Sequence, residues 1–296
     1  MSSSFLGYIR LMRPANLPTA AADILAGMAM AGLYSEWGYH DFNYANVLCL
    51  VTASILLYAG GVVLNDVFDY KLDKVERPER PIPSGIVSLV NAALFGGALL
   101  VIGVICALMV NNLAGVIALF LALAILLYDS FSKKYGILGP LNMGVCRGLN
   151  LLLGMSVFGS LEYWYYALVP IVYIAAITLI SRGEVHGDNK KHIVLAGVLY
   201  AIVIVAVLSL FVWGKENVLQ AIPFLILFAI MIYRPLIGAF RDNSPKNIKK
   251  AVIGGVLSLI LLDASLAVAF SQWWFALPII LLLPLSIWLS KLFAVT

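Results

Sequence analysis

Residues 65–85 of the chain read NDVFDYKLDKVERPERPIPSG. The segment places three aspartates beside a basic turn stiffened by prolines, in a chain that is otherwise almost wholly apolar. Carboxylates are hard oxygen ligands suited to Mg²⁺, which usually binds one or two protein carboxylates together with the phosphates of a substrate. In a helix, Asp66, Asp69 and Asp73 would fall at positions i, i+3 and i+7 and would share one face. We therefore expect the chemistry of the protein to lie in this segment.

The composition of the whole chain excludes an ordinary soluble domain. Of its 296 residues, 62% are hydrophobic and 11% are charged, and the mean hydropathy is +1.00, whereas charged residues make up about a quarter of a typical globular domain. The chain is predicted to be an integral membrane protein, and no nucleic-acid partner is expected. Cys49, Cys106 and Cys146 lie within apolar runs without metal-ligand spacing, so they are interpreted as packing residues.

Ten apolar runs have the length of a membrane-spanning helix, which is about 17 to 25 residues. They lie at residues 16–34, 46–65, 87–110, 113–130, 140–160, 164–181, 193–213, 219–239, 251–271 and 273–292. The sequence therefore predicts an all-α, polytopic transmembrane bundle of nine to ten helices, in which residues 1–296 form a single domain.

The lysines and arginines predict the orientation of this bundle, because positively charged loops remain on the cytoplasmic side of a membrane. With the ten runs taken as spans, all but two of the 19 basic residues fall on one side. Lys215 falls on the other side, and Arg147 lies within the fifth span, where an ionisable side chain is costly and therefore a functional candidate. We predict a multi-pass protein of the cytoplasmic membrane, with both termini and the acidic loops on the cytoplasmic side.

The order of residues in the segment 65–85 resembles a known motif. It follows the pattern NDxxDxxxD and then RPxRPxPSG, which is similar to the first aspartate-rich motif of the UbiA superfamily of intramembrane prenyltransferases. The version RPERPIPSG most resembles the branch that alkylates glycerol-type acceptors and the related EboC-type branch. The resemblance implies a central cavity capped by the cytoplasmic acidic loops, with Mg²⁺ as the cofactor.

The second aspartate motif of that family lies between the sixth and seventh helices, and this chain departs from it. The equivalent segment, residues 181–191, reads SRGEVHGDNKK. Only Glu184 and Asp188 keep the i, i+4 spacing that would place two carboxylates on one helical face. His186 has two interpretations: it is a polar residue in a solvated loop, or it is a general base or acceptor contact, because imidazole titrates near neutral pH.

Three shorter segments also resemble the family. Residues 13–16, which read RPAN and are followed by Asp23, resemble its opening motif. Residues 128–134 resemble the segment after the fourth helix, in which a tyrosine precedes a lysine by five positions. Arg147 and Gly154 resemble a motif of the fifth helix.

Taken together, these matches imply a role for each candidate residue. The residues that would hold Mg²⁺ are Asn65, Asp66, Asp69, Asp73, Glu184 and Asp188. The residues that would bind the diphosphate are Arg77, Arg80, Tyr128, Lys133, Lys134 and Arg147. The acceptor would contact Asn16, Asp23, Arg182 and His186. Catalysis would depend most directly on Asp69, Asp73, Glu184, Asp188 and Arg147.

The expected function is Mg²⁺-dependent transfer of a polyprenyl group from a polyprenyl diphosphate to a small acceptor, with release of pyrophosphate. The form of the first motif and the reduced second motif favour a polar hydroxyl acceptor, such as a polyol, a cyclitol or a glycerol-type compound. Two alternatives stay open: an aromatic acceptor such as a quinone precursor, and a non-catalytic lipid carrier or transporter with the same fold. The expected partners are the donor, the acceptor and the lipid bilayer, and the sequence does not decide between a monomer and a homodimer.

Overall fold

The computed structural model describes residues 3–33, 43–184 and 187–293. These residues form α-helices joined by short 3-10 helices and loops, and no strand occurs among them. The α-helices are Ser3–Leu11 (α1), Leu17–Met30 (α2), Tyr44–Phe68 (α3), Tyr70–Glu76 (α4), Leu89–Leu108 (α5), Asn112–Ser130 (α6), Leu138–Met155 (α7), Leu168–Ser181 (α8), Lys190–Gly214 (α9), Val218–Arg241 (α10), Pro245–Phe270 (α11), Ala276–Ile280 (α12) and Leu282–Leu292 (α13).

Within the described ranges, nine helical segments are long and apolar enough to cross a membrane. Each corresponds to one of the predicted spans after the first, so the predicted all-α polytopic bundle is confirmed. The first predicted span, 16–34, contains only the 14 residues of α2. At about 1.5 Å per residue, α2 is roughly 21 Å long and is shorter than the hydrocarbon core of about 30 Å.

Helix α2 is short but lies at the centre of the bundle. It packs against α3, α7, α11 and α13, and 12 of its 14 residues are buried. Its sequence, LPTAAADILAGMAM, is rich in alanine and glycine. Small side chains let neighbouring backbones approach closely, which is how helices associate where lipid removes the hydrophobic driving force. The composition of α2 therefore explains how it contacts four other helices.

The closest approach of α2 and α7 is made at two glycines. A Cβ atom at Gly154 would lie 2.5 Å from the carbonyl oxygen of Ile24, and a Cβ atom at Gly27 would lie 2.7 Å from the amide nitrogen of Met155. Both distances are too short for any side chain. The two backbones are thus in direct contact, and this contact places the polar residues of α7 against α2.

The last predicted span, 273–292, is broken in the structure into α12 and α13. Pro284 explains the position of the break. It has no backbone N–H with which to bond the carbonyl group of Ile280, and its ring would clash with that group in a continuous helix. Accordingly, α12 ends at Ile280.

Helix α13 closes the bundle against the short central helix α2. It packs against α2 and against the 3-10 turn Pro14–Asn16 that precedes α2. Ser286 on α13 is fully buried, and its hydroxyl group donates a hydrogen bond to the carbonyl oxygen of Ala15. This bond fixes the entrance of α2 against the last helix.

Candidate active site

A cavity of about 400 Å³ lies at the centre of the bundle, among α2, α3, α6, α7, α8 and α11. Much of its wall is apolar and includes Ile125, Ile174, Ile177, Val252 and Leu259. Its polar lining residues include Arg13, Asn65, Tyr128, Asp129, Arg147 and Glu184. The cavity therefore combines an apolar wall with charged side chains, and both acidic segments reach it, the first through Asn65 and the second through Glu184.

The first aspartate motif does not form one continuous helical face. Helix α3 ends at Phe68 and α4 begins at Tyr70, and Asp69 lies between them with φ −87° and ψ 2°. The three aspartates do not share one cation. Asp66 and Asp73 both contact Arg80, whereas Asp69 contacts Lys133.

Arg80 links the two helices of the motif. Its Nη1 atom donates to Asp66 Oδ1 at 3.1 Å and to Asp73 Oδ2 at 2.7 Å. All three residues are at least nine-tenths buried. A buried charge is tolerated only when it is paired and hydrogen-bonded, so Arg80 stabilises both carboxylates. It also ties the basic turn to the end of α3.

Arg13 binds the same motif from the other side. Its Nη2 atom lies 2.6 Å from Asp66 Oδ1, and its side chain lines the cavity. The backbone of Arg13 has φ 49°, a left-handed conformation that costs a residue other than glycine roughly 1–2 kcal/mol. Asp66 therefore has two arginine partners, from the segment before α2 and from the basic turn.

Lys133 supplies the partner of Asp69. It lies in the 3-10 turn Ser132–Lys134 after α6, and its Nζ atom lies 2.7 Å from Asp69 Oδ1. The neighbouring Lys134 is exposed and does not line the cavity. Arg77 lies at the edge of the motif, with Nη1 3.8 Å from Asp73 Oδ1.

Asp129 is a site residue that the sequence analysis missed. It lines the cavity beside Tyr128, is 2% exposed, and accepts a 2.8 Å hydrogen bond at Oδ1 from Asn65 Nδ2. Its Oδ2 atom is buried and has no hydrogen-bond partner among the described residues. The available signal was an acidic residue at the end of an apolar run, which is costly in a membrane and therefore a functional candidate.

The second acidic segment contributes Glu184 to the cavity. Burial raises the pKa of Glu184, while the positive charges of Lys249 and Arg77 act in the opposite direction. Asn65 of the first motif lines the same cavity as Glu184, so the two motifs approach each other. The predicted meeting of the two segments over one cavity is thus observed for Glu184.

Other residues predicted around the second segment lie away from the cavity. Asp188 is exposed, and its backbone has φ 51°. Arg182 is exposed and donates to the carbonyl oxygen of Gly136. His186 lies outside the described residues. The structure therefore does not bring Asp188 and Arg182 to the cavity wall.

Deeper in the bundle, Arg147 is held against α2. Its Nε atom lies 2.6 Å from Asp23 Oδ2, and its Nη2 atom donates to the carbonyl oxygen of Thr19. Asn150 Nδ2 also donates to Asp23 Oδ2, at 2.8 Å. Arg147, Asn150 and Thr19 line the cavity, so this polar group forms part of its wall. Two nitrogens of the Arg147 guanidinium group thus contact protein oxygens, those of Asp23 and Thr19.

Asn16 was predicted to contact the acceptor, and the structure gives it a different surrounding. Asn16 is half-buried in the turn before α2 and is not among the residues that line the cavity. Its carbonyl oxygen accepts a 2.7 Å hydrogen bond from Thr19 Oγ1. This bond stabilises the first turn of α2.

The residues of the first motif fit Mg²⁺ by chemistry, although no group of three or more histidines, cysteines or acidic residues is arranged to hold a metal within the described ranges. The motif supplies hard oxygen donors, which suit Mg²⁺. In this structure, the carboxylates of the motif form ion pairs with arginine and lysine side chains. The buried oxygen of Asp129 that has no partner adds a further donor of the same kind. The residues that would hold the ion are Asn65, Asp66, Asp69 and Asp73.

Together, the fold and the cavity define an integral, multi-pass membrane protein whose internal cavity has an apolar wall and a charged group of side chains. The chain belongs to the UbiA prenyltransferase family, which matches residues 24–253.

Several curated relatives have the same description. A digeranylgeranylglyceryl phosphate synthase of Saccharolobus solfataricus is 31% identical over 195 residues, which cover 64% of this chain and 67% of the relative. The enzyme of the same description from Methanococcoides burtonii is 36% identical over 154 residues, or 51% of this chain and 55% of the relative. The matched region thus spans between about half and two thirds of these relatives.

Solved structures of similar fold come from the same family. A structure of digeranylgeranylglyceryl phosphate synthase aligns with a TM-score of 0.68 at 19% identity, and covers 91% of this chain and 99% of that chain. A UbiA homologue from Archaeoglobus fulgidus, bound to GPP and Mg²⁺, aligns with a TM-score of 0.67 at 15% identity, and covers 88% and 100%. At this identity the likeness concerns the fold.

Proposed function

We propose that the chain is a Mg²⁺-dependent prenyltransferase that moves a polyprenyl group from its diphosphate to a hydroxyl group of a small polar acceptor. The observation that carries this proposal is a cavity in which an apolar wall meets the charged residues Arg13, Asp129, Arg147 and Glu184, with Asn65 of the first acidic segment beside them. A polyprenyl diphosphate has the same division, with an apolar tail and an anionic head. Family membership supports the transfer chemistry.

The prenyl tail is assigned to the apolar wall. Each methylene moved from water to an apolar environment gains about 0.8 kcal/mol, so a polyprenyl tail favours this surface strongly. Ile174 and Ile177 of α8 and Val252 and Val256 of α11 belong to this wall. A dry wall of this kind also excludes water from a reactive carbon centre.

The diphosphate is assigned to the charged end of the cavity. Tyr128 and Arg147 line the wall, and Lys133 and Arg77 lie beside it on the aspartates of the first motif. Lysine and arginine form charge-assisted hydrogen bonds with phosphate oxygens. Bound Mg²⁺ would supply neutralisation of the negative charge on the leaving diphosphate.

The reaction breaks the allylic C–O bond of the donor and forms a C–O bond to the acceptor. The diphosphate leaves with the bonding electron pair, and the acceptor hydroxyl oxygen attacks C1 of the prenyl group. The hydroxyl proton leaves with the diphosphate. Arg147 on the cavity wall stabilises the departing negative charge together with Lys133 and the more exposed Arg77, because fixed cations act more strongly where water is excluded than in bulk solvent.

For the acceptor, we infer a glycerol-phosphate type of compound. The support is the RPERPIPSG form of the first motif and the description of the relatives as digeranylgeranylglyceryl phosphate synthases. The reduced second motif, in which Glu184 is the one carboxylate on the cavity wall among the described residues, agrees with an acceptor other than an aromatic acid. The acidic segments are assigned to the cytoplasmic side, because almost all basic residues lie at that end.

The decisive experiment measures pyrophosphate release by the purified chain from geranylgeranyl diphosphate, with and without Mg²⁺. Glycerol-phosphate, cyclitol and aromatic acceptors are supplied separately, and Asp69→Ala serves as the inactive control. Mg²⁺-dependent release that requires the glycerol-phosphate acceptor is expected. Release with an aromatic acceptor alone would overturn the acceptor, and diphosphate binding without release would favour a lipid carrier.

A further inference from the structure

Asp129 occupies an unusual position among the acidic residues of the protein. It lies at the end of α6 and is 2% exposed. One of its carboxylate oxygens accepts the hydrogen bond from Asn65, and the other is buried with no hydrogen-bond partner among the described residues. Buried polar atoms nearly always have a partner, and each exception requires an explanation such as an ion that binds there.

The bond between Asn65 and Asp129 also sets the orientation of the Asn65 amide. A carboxylate can only accept hydrogen bonds, so the amide nitrogen of Asn65 must face Asp129. The amide oxygen of Asn65 is then not used in this bond. Asp129 therefore presents one oxygen of its own and positions a second oxygen, on Asn65, at the same part of the cavity wall.

The charges around Asp129 are of both signs. The cations of Lys133 and Arg13 and the carboxylate of Asp69 interact with it, and the Lys133 ammonium group lies 2.7 Å from Asp69 Oδ1. A side-chain cation thus partly balances the carboxylates that meet here. Among the described residues of the second acidic segment, Glu184 is the one carboxylate on the wall, so the site has few carboxylates from that side.

We propose that Asp129 is a further residue of the divalent-cation site, which binds the ion through Oδ2 and orients Asn65 through Oδ1. The inference rests on the proposed function. It assigns to α6 an acidic ligand in addition to those of the two motif segments. In this chain, Asp129 adds to the site negative charge that the reduced second motif lacks.

The test measures Mn²⁺ binding to the detergent-solubilised full chain in the presence of inorganic pyrophosphate, by the loss of the free Mn²⁺ signal in electron paramagnetic resonance. Asp129→Asn is the informative variant, because its amide oxygen still accepts the hydrogen bond from Asn65 while an NH₂ group replaces the free oxygen. We expect its Mn²⁺ dissociation constant to rise roughly 10- to 100-fold, as for other residues around metal sites.

A matched control separates this effect from a change in surface charge. Glu79→Gln removes one negative charge from an exposed residue of the basic turn and should bind Mn²⁺ as the unchanged chain does. Asp129→Glu keeps the carboxylate and should retain more affinity than Asp129→Asn. If Asp129→Asn does not fold, Asp129→Ser removes the carboxylate and keeps an acceptor for Asn65.

The outcomes distinguish the two proposals. Equal Mn²⁺ affinity of Asp129→Asn and the unchanged chain would overturn the role of Asp129 and leave the proposed function intact. Lack of Mn²⁺ and pyrophosphate binding by the unchanged chain would overturn the proposed function, and the role of Asp129 with it. Weaker binding in Asp129→Asn, with an unaltered unfolding temperature in the absence of metal, would support the proposal.

Discussion

Arg147 Nε lies 2.6 Å from Asp23 Oδ2 in the interior of the bundle, and both residues are more than nine-tenths buried. Asp263 on α11 is 3% exposed, and its carboxyl group interacts electrostatically with both Asp23 and Arg147. One guanidinium group therefore faces two carboxyl groups. The two acids are not equivalent, because Asn150 donates a hydrogen bond to Asp23 and Arg147 forms its ion pair with Asp23.

This arrangement predicts unequal effects of two substitutions. Arg147→Met leaves two buried acids without a cation and should lower the free energy of unfolding by about 3–5 kcal/mol. Asp263→Asn leaves the pair of Arg147 and Asp23 intact and should cost less than about 1 kcal/mol. Unfolding temperatures of the two variants in one detergent test the ranking, and equal losses would contradict it.

A second prediction separates two aspartates of the first motif. Asp73 is 1% exposed and is bonded to Arg80, so Asp73→Ala leaves a buried arginine with one carboxylate fewer and should cost about 3–5 kcal/mol. The side chain of Asp69 is 27% exposed and that of its partner Lys133 is 16% exposed, so this pair is less buried than that of Asp73 and Arg80 and its loss should cost less. Asp69→Ala should therefore fold normally and lose turnover, which thermal unfolding and pyrophosphate release measure together. A folded Asp69→Ala variant with full turnover would contradict the metal role.

The contact between α2 and α7 provides a third prediction. In Gly154→Ala the new methyl group would meet the backbone of Ile24, which cannot move without separating the helices, so a loss of about 1–3 kcal/mol is expected. Gly97 on α5 has no atom within 4 Å of its Cβ position. Gly97→Ala is thus the control, and should be neutral or gain up to about 1 kcal/mol from helix propensity. If both variants unfolded at the same temperature, the contact would not be as tight as described.

A fourth prediction concerns pH and the loop between α9 and α10. Burial raises the pKa of Glu216. Its carboxyl group interacts electrostatically with the nearby side chains of Tyr163 and Tyr166. A raised pKa in the folded state means that this residue stabilises the fold when protonated and loses that contribution as pH rises through the raised value. Glu216→Gln should therefore match the unchanged chain at pH 4 and unfold at a slightly higher temperature at pH 8. The opposite sign at pH 8 would show that the carboxylate is stabilised in the fold.

Much of the fold follows from the sequence, because bilayer thickness fixes how long an apolar run must be. Nine predicted spans correspond to membrane-length helices. The first was predicted too long, since apolar character alone does not distinguish residues of α2 from those that follow it. The break near Pro284 needed only the rule that proline interrupts a helix, and hydropathy does not include that rule.

The site was less predictable, because its pairings join residues far apart in the chain. The sequence identified Asp66, Asp69 and Asp73 as a group, but nothing in their spacing shows that Arg80 would be buried between two of them. Asp129 was overlooked because the pattern that drew attention to Tyr128 contains no acid at the next position. Its partner, Asn65, lies 64 residues earlier, and only the packing of α3 against α6 brings the two together.

The central position of α2 has a consequence for biosynthesis. The ribosome makes α2 before every helix that surrounds it, and α11 begins at residue 245, which at translation rates of about 5–20 residues per second is a delay of roughly 10 to 40 s. During that interval Asp23 has no guanidinium partner until α7 is made. A short helix with an unpaired acid is a poor candidate for release into lipid on its own. We therefore expect α2 to settle in the bilayer only when the later helices are made and the bundle assembles around it.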